Sequence, residues 1–174
     1  MKIKEIINQE INDGKKQNFL KSIYILYFSP KKRAVFIFRI AQELYKRGFK
    51  KISRLTINRL VTLFGTHISL TAEIGTNIEF RHINGVVIGD GVKIGNNVII
   101  YQQVTLGGKN VGDKLTGNYP IIEDNVIIFS GAKIIGNVNI GKNSIVGTNS
   151  VVIKDVPPNS TVAGIPATII KSNI

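Results

Sequence analysis

The chain contains no cysteine and no tryptophan, and only two of its 174 residues are histidines. Without cysteine, the chain can form neither disulfides nor thiolate zinc sites, and it has no cysteine nucleophile. Two histidines are too few for a three-histidine zinc site, so we expect no metal. The longest apolar run, "FLKSIYILYF", has about half of the ~20 residues that a membrane-spanning helix needs. Because the amino terminus also lacks the apolar core of a signal peptide, we predict a cytoplasmic protein.

Positive charge is concentrated in the first part of the chain. Residues 1–66 carry 15 Lys and Arg against 4 Asp and Glu, whereas residues 67–174 carry 8 against 7. Two interpretations remain open for this basic part. It is either a solvated helical face or a surface attracted to an anionic partner such as a membrane, an acidic polymer or a phosphate-bearing cofactor. We expect no nucleic-acid partner, because the basic residues match no recognition motif.

The rest of the chain repeats with a period of six residues, which is three times the two-residue period of a strand. Each hexad therefore predicts a short strand and a turn, and three hexads predict one triangular coil. Such coils stack at about 4.8 Å into a parallel β-helix of four to five coils. The repeating apolar anchors slip by two residues after Val86; they are Ile68, Ile74, Phe80, Val86, Ile88, Ile94, Ile100, Leu106, Ile122, Ile128, Ile134, Ile140, Val146 and Val152.

Two regions follow from these patterns. Residues 1–66 are predicted to form a basic α-helical region, and residues 67–174 a mainly β domain. A polar stretch at 107–120 interrupts the repeat and predicts a loop extruded from the coil, either functional or a tolerated insertion. Helical periodicity is present in three stretches, 2–12, 33–47 and 50–63.

Three stretches, "RHINGVVIGDGVKIG", "IYQQVTLGG" and "FSGAKIIGNVNIGKNSIVGTNSVVIKDVPPNSTVAGIPA", resemble the hexapeptide-repeat acyltransferases. Within that family the chain is most similar to serine O-acetyltransferases and to O-acetyltransferases of surface polysaccharides. The resemblance implies a left-handed parallel β-helix with a short N-terminal helical region. It also implies acetyl-CoA as the acetyl donor and a homotrimer whose active sites lie between subunits.

The same resemblance implies that His82 is the general base. An imidazole with a pKa near ~6.5 can remove a proton from a hydroxyl at neutral pH, and a thioester needs no covalent enzyme intermediate. In serine acetyltransferases an aspartate orients this imidazole, and His67 stands at its position. We predict that His67 takes that role; Glu73 or Glu79 is the alternative, or the role is missing and His67 is a surface residue.

The predicted acceptor residues depart from the serine enzymes. Arg81 stands where those enzymes have an aspartate for the ammonium of serine. Asn118 and Tyr119 replace an Arg-His pair for its carboxylate, in a loop two residues longer. These residues favour a sugar hydroxyl of a capsular or lipopolysaccharide glycan as acceptor. The alternatives are serine O-acetylation for cysteine synthesis, N-acetylation of an amino-sugar, and a non-catalytic scaffold.

Acetyl-CoA is expected to lie in a groove between neighbouring prisms. The tail "AGIPA" resembles the segment that closes over the CoA end, but Thr168 follows where a basic residue is common in the family. Lys171 or Lys154 is therefore predicted to neutralise the CoA phosphates. The other residues that the resemblance implies for CoA are Gly107, Gly108, Ser130, Gly131, Gly147, Thr148, Ala163, Gly164 and Pro166.

Overall fold

The computed structural model describes residues 3–11, 18–110, 112–113 and 117–172. Positions 2 and 12 of the first predicted helix, and 111 and 114–116 of the predicted loop, lie outside these ranges. No helix in the described ranges is long and apolar enough to cross a membrane. The helices are α1 (Ile3–Ile6), which continues as a π-helical turn (Ile7–Ile11), α2 (Phe19–Phe28), α3 (Pro30–Lys46) and α4 (Lys50–Phe64).

Helix α2 was not predicted from the sequence, whereas helices α3 and α4 coincide with predicted helical stretches. Its run "FLKSIYILYF" is so rich in apolar residues that no helical period stands out. Local capping nevertheless fixes its bounds. The Asn18 side chain accepts a hydrogen bond from the Leu20 N–H at 3.1 Å, and Ser29 caps the next helix, with Pro30 at its first position.

Short strands follow helix α4 and continue to residue 172. They are β1 (His67–Ile68), β2 (Glu73–Ile74), β3 (Glu79–Phe80), β4 (Val87–Ile88), β5 (Lys93–Ile94), β6 (Ile99–Ile100), β7 (Thr105–Gly107), β8 (Ile121–Ile122), β9 (Ile127–Ile128), β10 (Lys133–Ile135), β11 (Asn139–Ile140), β12 (Ile145–Val146), β13 (Val151–Val152), β14 (Ser160–Gly164) and β15 (Ala167–Ser172).

Up to β13, every third strand joins the same sheet, so the chain winds around a three-sided prism. Sheet 1 has the order β1-β4-β7-β10-β13, sheet 2 the order β2-β5-β8-β11, and sheet 3 the order β3-β6-β9-β12-β14-β15. All pairs are parallel except the terminal hairpin of β14 and β15. This arrangement is the predicted parallel β-helix.

The predicted anchors lie inside the prism, one above another. In sheet 1, Ile68 pairs with Ile88 and Ile88 with Leu106, and the last two side chains are completely buried. The first of these steps is two residues longer than the second. The two additional residues fall in the turn between β3 and β4, where Ile83 is buried and His82 is exposed. The slip seen in the sequence is therefore a widened turn at the candidate base.

The corner between sheets 2 and 3 is closed by an asparagine ladder. Each of these asparagines has a φ between 56° and 60°, a left-handed conformation that asparagine tolerates well. Each amide also donates to the next one along the prism, at 2.8 to 3.1 Å. The ladder consists of Asn77, Asn97, Asn125, Asn143 and Asn159.

Helix α3 is fastened to the first coil by a buried ion pair. Arg39 Nη2 lies 2.8 Å from Glu10 Oε1, and both side chains are almost completely buried. The same guanidinium donates to the carbonyl of Ile74 at 2.7 Å and to that of Gly75. Because these donors reach backbone carbonyls of the prism, the helices have a defined orientation over its first coil.

Candidate active site

The corner between sheets 3 and 1, here called the His82 corner, carries a row of polar and small residues. The strands of sheet 3 stack in register, with Phe80 on Ile100, Ile100 on Ile128, Ile128 on Val146 and Val146 on Val162. Residues two positions after these anchors are therefore neighbours along the prism. The row reads His82, Gln102, Ser130, Thr148 and Gly164.

Backbone hydrogen bonds hold this row in place. Gln103 N–H donates to the Asn84 carbonyl at 3.0 Å, and Gly131 N–H donates to the Gln102 carbonyl at 2.9 Å. One coil further, Asn149 N–H donates to the Ser130 carbonyl at 2.9 Å. Four of the predicted site residues, one base and three CoA residues, thus lie along one edge. An edge of this kind suits an extended ligand whose reactive end lies at His82.

The exposed His82 imidazole borders a cavity of about 330 Å³. The cavity is bounded on one side by the junction of α2 and α3 and on the other by the turn after β3. An exposed imidazole can exchange protons with a bound hydroxyl and with solvent, as a general base requires. The lining residues are Phe28, Ser29, Pro30, Lys31, Arg81, His82, Ile83 and Asn84.

Arg81 belongs to a small charge network beside the cavity. Glu79 Oε1 lies 2.8 Å from Lys31 Nζ and 3.4 Å from Arg81 Nη1. The hydrogen bond from Lys31, together with the charges of Lys31 and Arg81, holds the pKa of Glu79 below its usual range, against the effect of partial burial. Two cations share one carboxylate, so the edge of the cavity keeps a net positive charge.

His67 lies on a different surface. It is an exposed residue of β1 on the outer face of sheet 1, and it lines a cavity of about 570 Å³ beside helix α4. In the part of the chain that the structure describes, no hydrogen bond joins it to His82. Of the alternative acids, Glu73 is exposed and 3.8 Å from Lys93, whereas Glu79 is on the strand that leads into the His82 turn. The orienting role of His67 stays a prediction.

The corner between sheets 1 and 2, here called the loop corner, carries the interrupting loop. The ring of Tyr119 is half-buried against the turn at Gly89 and Gly91, where a Cβ at Gly89 would lie 3.2 Å from the ring. Asn118 donates a hydrogen bond to the carboxylate of Asp113. Both residues therefore support the loop itself, and their predicted contact with acceptor stays a prediction.

Asp113 is a residue that the sequence analysis missed. Its carboxylate is buried and accepts from the Asn110 N–H at 2.6 Å. This bond, with others from Lys109 and Asn118, lowers the pKa of Asp113 despite desolvation. The position of Asp113, as a single aspartate within a glycine-rich insertion, could have indicated this role. Such loops need a local acceptor for their backbone N–H groups.

The predicted CoA residues are divided between the two corners. Gly131 and Gly147 flank the row at the His82 corner, and Gly147 lies against Ala163. Gly107 and Gly108 are at the loop corner, on the other side of sheet 1. Within the described residues, a single chain therefore does not bring all the predicted site residues together.

The carboxyl-terminal candidates also separate. Pro166 lies in the hairpin between β14 and β15, and Lys171 is exposed on β15 opposite Thr161 in sheet 3. Lys154, the other candidate for the CoA phosphates, follows Val152 of sheet 1 and is therefore at the loop corner. Lys171 and Lys154 therefore lie on different parts of the prism, and they are alternative partners for the CoA phosphates.

Gln102 is a second residue that the sequence analysis missed. It occupies the register position between His82 and Ser130, and its Oε1 is buried and accepts no hydrogen bond from the described residues. Its neighbour Tyr101 stacks on Phe129 with ring centroids 4.9 Å apart. Within the described residues, no group of three or more acidic or imidazole side chains is placed to hold a metal ion.

Comparison with known proteins places this geometry in a family. The profile of bacterial transferase hexapeptide (six repeats) matches residues 119–154. The serine acetyltransferase of Staphylococcus xylosus is 45% identical over 141 residues, which cover 80% of this chain and 64% of that protein.

Solved structures agree over almost the whole chain. The Neisseria gonorrhoeae serine acetyltransferase in complex with serine is 32% identical with a TM-score of 0.82, covering 97% of this chain and 69% of that one. A serine acetyltransferase in complex with CoA is 34% identical with a TM-score of 0.80, again covering 97% and 69%.

The chain belongs to the hexapeptide-repeat transferases, and its homologues there are serine acetyltransferases. The resemblance drawn from the sequence is thereby confirmed, as is the left-handed β-helix preceded by helices. The chain spans 64% of the length of the first curated relatives that it matches.

Proposed function

We propose that the protein is an acetyl-CoA-dependent O-acetyltransferase with His82 as general base. The observation that carries this proposal is the row of His82, Ser130, Thr148 and Gly164 along one edge of the prism. An extended thioester can lie along that edge with its carbonyl at the imidazole. A homologous structure solved in complex with CoA supports acetyl-CoA as the donor.

The chemistry needs one proton relay. His82 accepts the proton of the acceptor hydroxyl while its oxygen attacks the thioester carbonyl. When the tetrahedral intermediate collapses, the C–S bond breaks, and the departing thiolate takes the proton from the imidazolium. Backbone N–H groups near the turn are suitable donors for the oxyanion. The chain therefore needs neither a covalent intermediate nor a second base.

A homotrimer is part of the proposal. The His82 corner and the loop corner are separated by sheet 1, so the described residues of the loop lie away from His82 of the same chain. Packing three prisms about a threefold axis would place the loop corner of one chain against the His82 corner of its neighbour. Gly107, where an added Cβ would have no atom of the described residues beyond its chain neighbours within 4 Å, would then form part of the groove.

Serine is the first candidate acceptor. Arg81, Asn118 and Tyr119 favoured a glycan hydroxyl, but the relatives that the chain matches are serine acetyltransferases, and one was solved in complex with serine. The comparisons therefore support serine, the alternative acceptor, better than they support a glycan hydroxyl, the first prediction.

A glycan hydroxyl remains the second candidate because of the charge beside His82. The carboxylate of Glu79 is already paired with Lys31 and Arg81. It is therefore not free to bind the ammonium group of serine. The neutral Asn118 and Tyr119 would also replace the Arg-His pair expected for its carboxylate. Hydrogen bonds to charged groups contribute roughly 1.5–3 kcal/mol each, so this difference has a measurable consequence.

The deciding experiment follows thiol release from acetyl-CoA with serine and with acidic and neutral glycans, side by side. Saturable turnover that disappears in His82→Ala is expected with one of these acceptors. A higher kcat/KM for serine than for every glycan would establish serine as acceptor. Binding of acetyl-CoA without transfer to any hydroxyl would contradict the proposed activity.

A further inference from the structure

Helix α2 (Phe19–Phe28) exposes its apolar stripe. Side chains three and four residues apart lie on one side of a helix. In a surface helix of a globular protein, such an apolar stripe normally faces the core. Here the stripe faces outward, with exposed fractions between 48% and 71%. The α2 stripe consists of Leu20, Ile23, Tyr24, Tyr27 and Phe28.

The opposite side of α2 is the one that packs. It lies against α3 and the π-helical turn; Ser22 on that side is only 2% exposed, and Ile25 and Leu26 are half-buried there. The stripe is therefore exposed even though the helix is packed against the rest of the protein. Three of its rings form a cluster, with the Phe28 centroid 4.5 Å from that of Tyr24 and 5.0 Å from that of Tyr27.

Basic residues lie on α2 and just beyond its carboxyl-terminal end. Residues 18–42 contain no Asp or Glu. Lys21 is exposed on α2 itself, and the first turn of the next helix holds Lys31, Lys32 and Arg33. Lys31 is paired with Glu79, but four basic residues against this one carboxylate leave a net positive charge beside the stripe, which is complementary to an anionic surface.

We propose that the α2 stripe docks into the surface of a membrane that contains anionic lipids. The apolar side chains would enter the boundary between headgroups and acyl chains, and the basic residues would contact lipid phosphates. Tyrosine suits this boundary because its ring is apolar and its hydroxyl is polar. Helix α2, with 10 residues, lies in the plane of the membrane and does not cross it.

Charge selects a membrane over a second copy of the chain. Two copies that met through this stripe would bring two basic surfaces together, and their repulsion would oppose contact. An anionic bilayer meets the apolar stripe and neutralises the same charges. Phe28 also lines the His82 cavity, so docking would place that cavity beside the membrane surface.

The test measures binding directly and does not depend on acetyl transfer. The full chain is sedimented with vesicles of phosphatidylcholine mixed with phosphatidylglycerol, and with vesicles of phosphatidylcholine alone. Binding to the anionic vesicles is expected, and it should weaken as salt is raised. Replacing Leu20 and Tyr27 with serine should reduce binding about tenfold or more, because both exposed side chains would no longer be buried.

Leu55→Ser is the matched control. Leu55 is 73% exposed on α4, a helix that is also basic, so the same change is made at similar exposure outside the stripe. Its binding should stay within about twofold of the unmodified chain, as expected for a surface substitution away from the contact. Circular dichroism confirms that each variant is folded.

Three outcomes would overturn the proposal. The first is absence of binding to the anionic vesicles by the unmodified chain. The second is an equal loss of binding in Leu55→Ser. The third outcome is that the unmodified chain does not bind vesicles and that a stripe variant has a lower molar mass in light scattering. The stripe would then contact a second copy of the chain.

Discussion

The His82 corner and the loop corner are neighbouring edges of one prism, yet they are built differently. The His82 corner is made by repetition, since every coil adds one residue at the same register position. The loop corner is made by one insertion that leaves the repeat after β7 and returns to it before β8. Repetition produces a straight row suited to an extended ligand, whereas the insertion adds a loop that the proposed trimer would place against another chain.

The two corners also differ in what holds them. Backbone hydrogen bonds between successive coils hold the His82 row. At the loop corner, the carboxylate of Asp113 and the ring of Tyr119 do so. A substitution at the first corner should therefore alter chemistry with little effect on stability, whereas one at the second should alter stability first.

The largest expected effect is that of His82→Ala. Removing a general base costs about 10²–10⁴-fold in kcat/KM, and the exposed side chain contributes little to folding. Steady-state kinetics and urea unfolding would be measured together. His67→Ala is the matched control, with a smaller expected loss because His67 lines another cavity. An equal loss in both variants would show that the imidazoles act as a unit.

Mixing two inactive variants tests whether the corners meet across subunits. His82→Ala leaves the loop corner intact, and Gly107→Trp fills the open space at the loop corner while leaving His82 intact. In a randomly mixed trimer about a quarter of the interfaces would combine one intact corner from each chain. We therefore expect activity in the coexpressed mixture, measured beside light scattering. A trimeric mixture without activity would contradict a shared site.

Gly91→Ala should weaken the loop corner. A methyl group at Gly91 would overlap the ring of Tyr119, and forced overpacking costs about 1–3 kcal/mol of the free energy of unfolding. Gly107→Ala is the control, with an expected change within about 0.5 kcal/mol, because among the described residues only its chain neighbours lie within 4 Å of the added Cβ. Urea unfolding of both variants provides the comparison, and equal midpoints would show that Tyr119 moves freely.

The smallest expected effect concerns Glu79 beside His82. Because the hydrogen bond from Lys31 lowers the folded-state pKa of Glu79, its stabilising contribution is present above its unfolded pKa. That contribution is lost as the pH falls through the lower, folded-state value. Both side chains are more than a third exposed, so solvent screening limits the pair to below about 1 kcal/mol. In Glu79→Gln this acid-dependent loss of stability should vanish, as acid titration of unfolding would show.

The β-helix was predictable because the six-residue repeat of apolar residues is a local pattern in the sequence. Each anchor, such as Ile100, contacts the equivalent anchor of the next coil, so the six-residue period in the chain is also the period in space. The widened turn was visible too, as the slip after Val86. The roles of His82 and Arg81 depended on resemblance, because no period indicates a catalytic group.

The sequence by itself determined the coil, its anchors and the turn that carries His82. Only the tertiary structure decided that Tyr119 packs on Gly91, that Lys31 and Arg81 share Glu79, and that the two corners are apart. It also decided which side of α2 packs and which faces outward, because the nearly continuous apolar run shows no helical period. The physical reason is that coil residues meet their own repeat one coil away, whereas helix orientation and loop packing depend on partners distant in sequence.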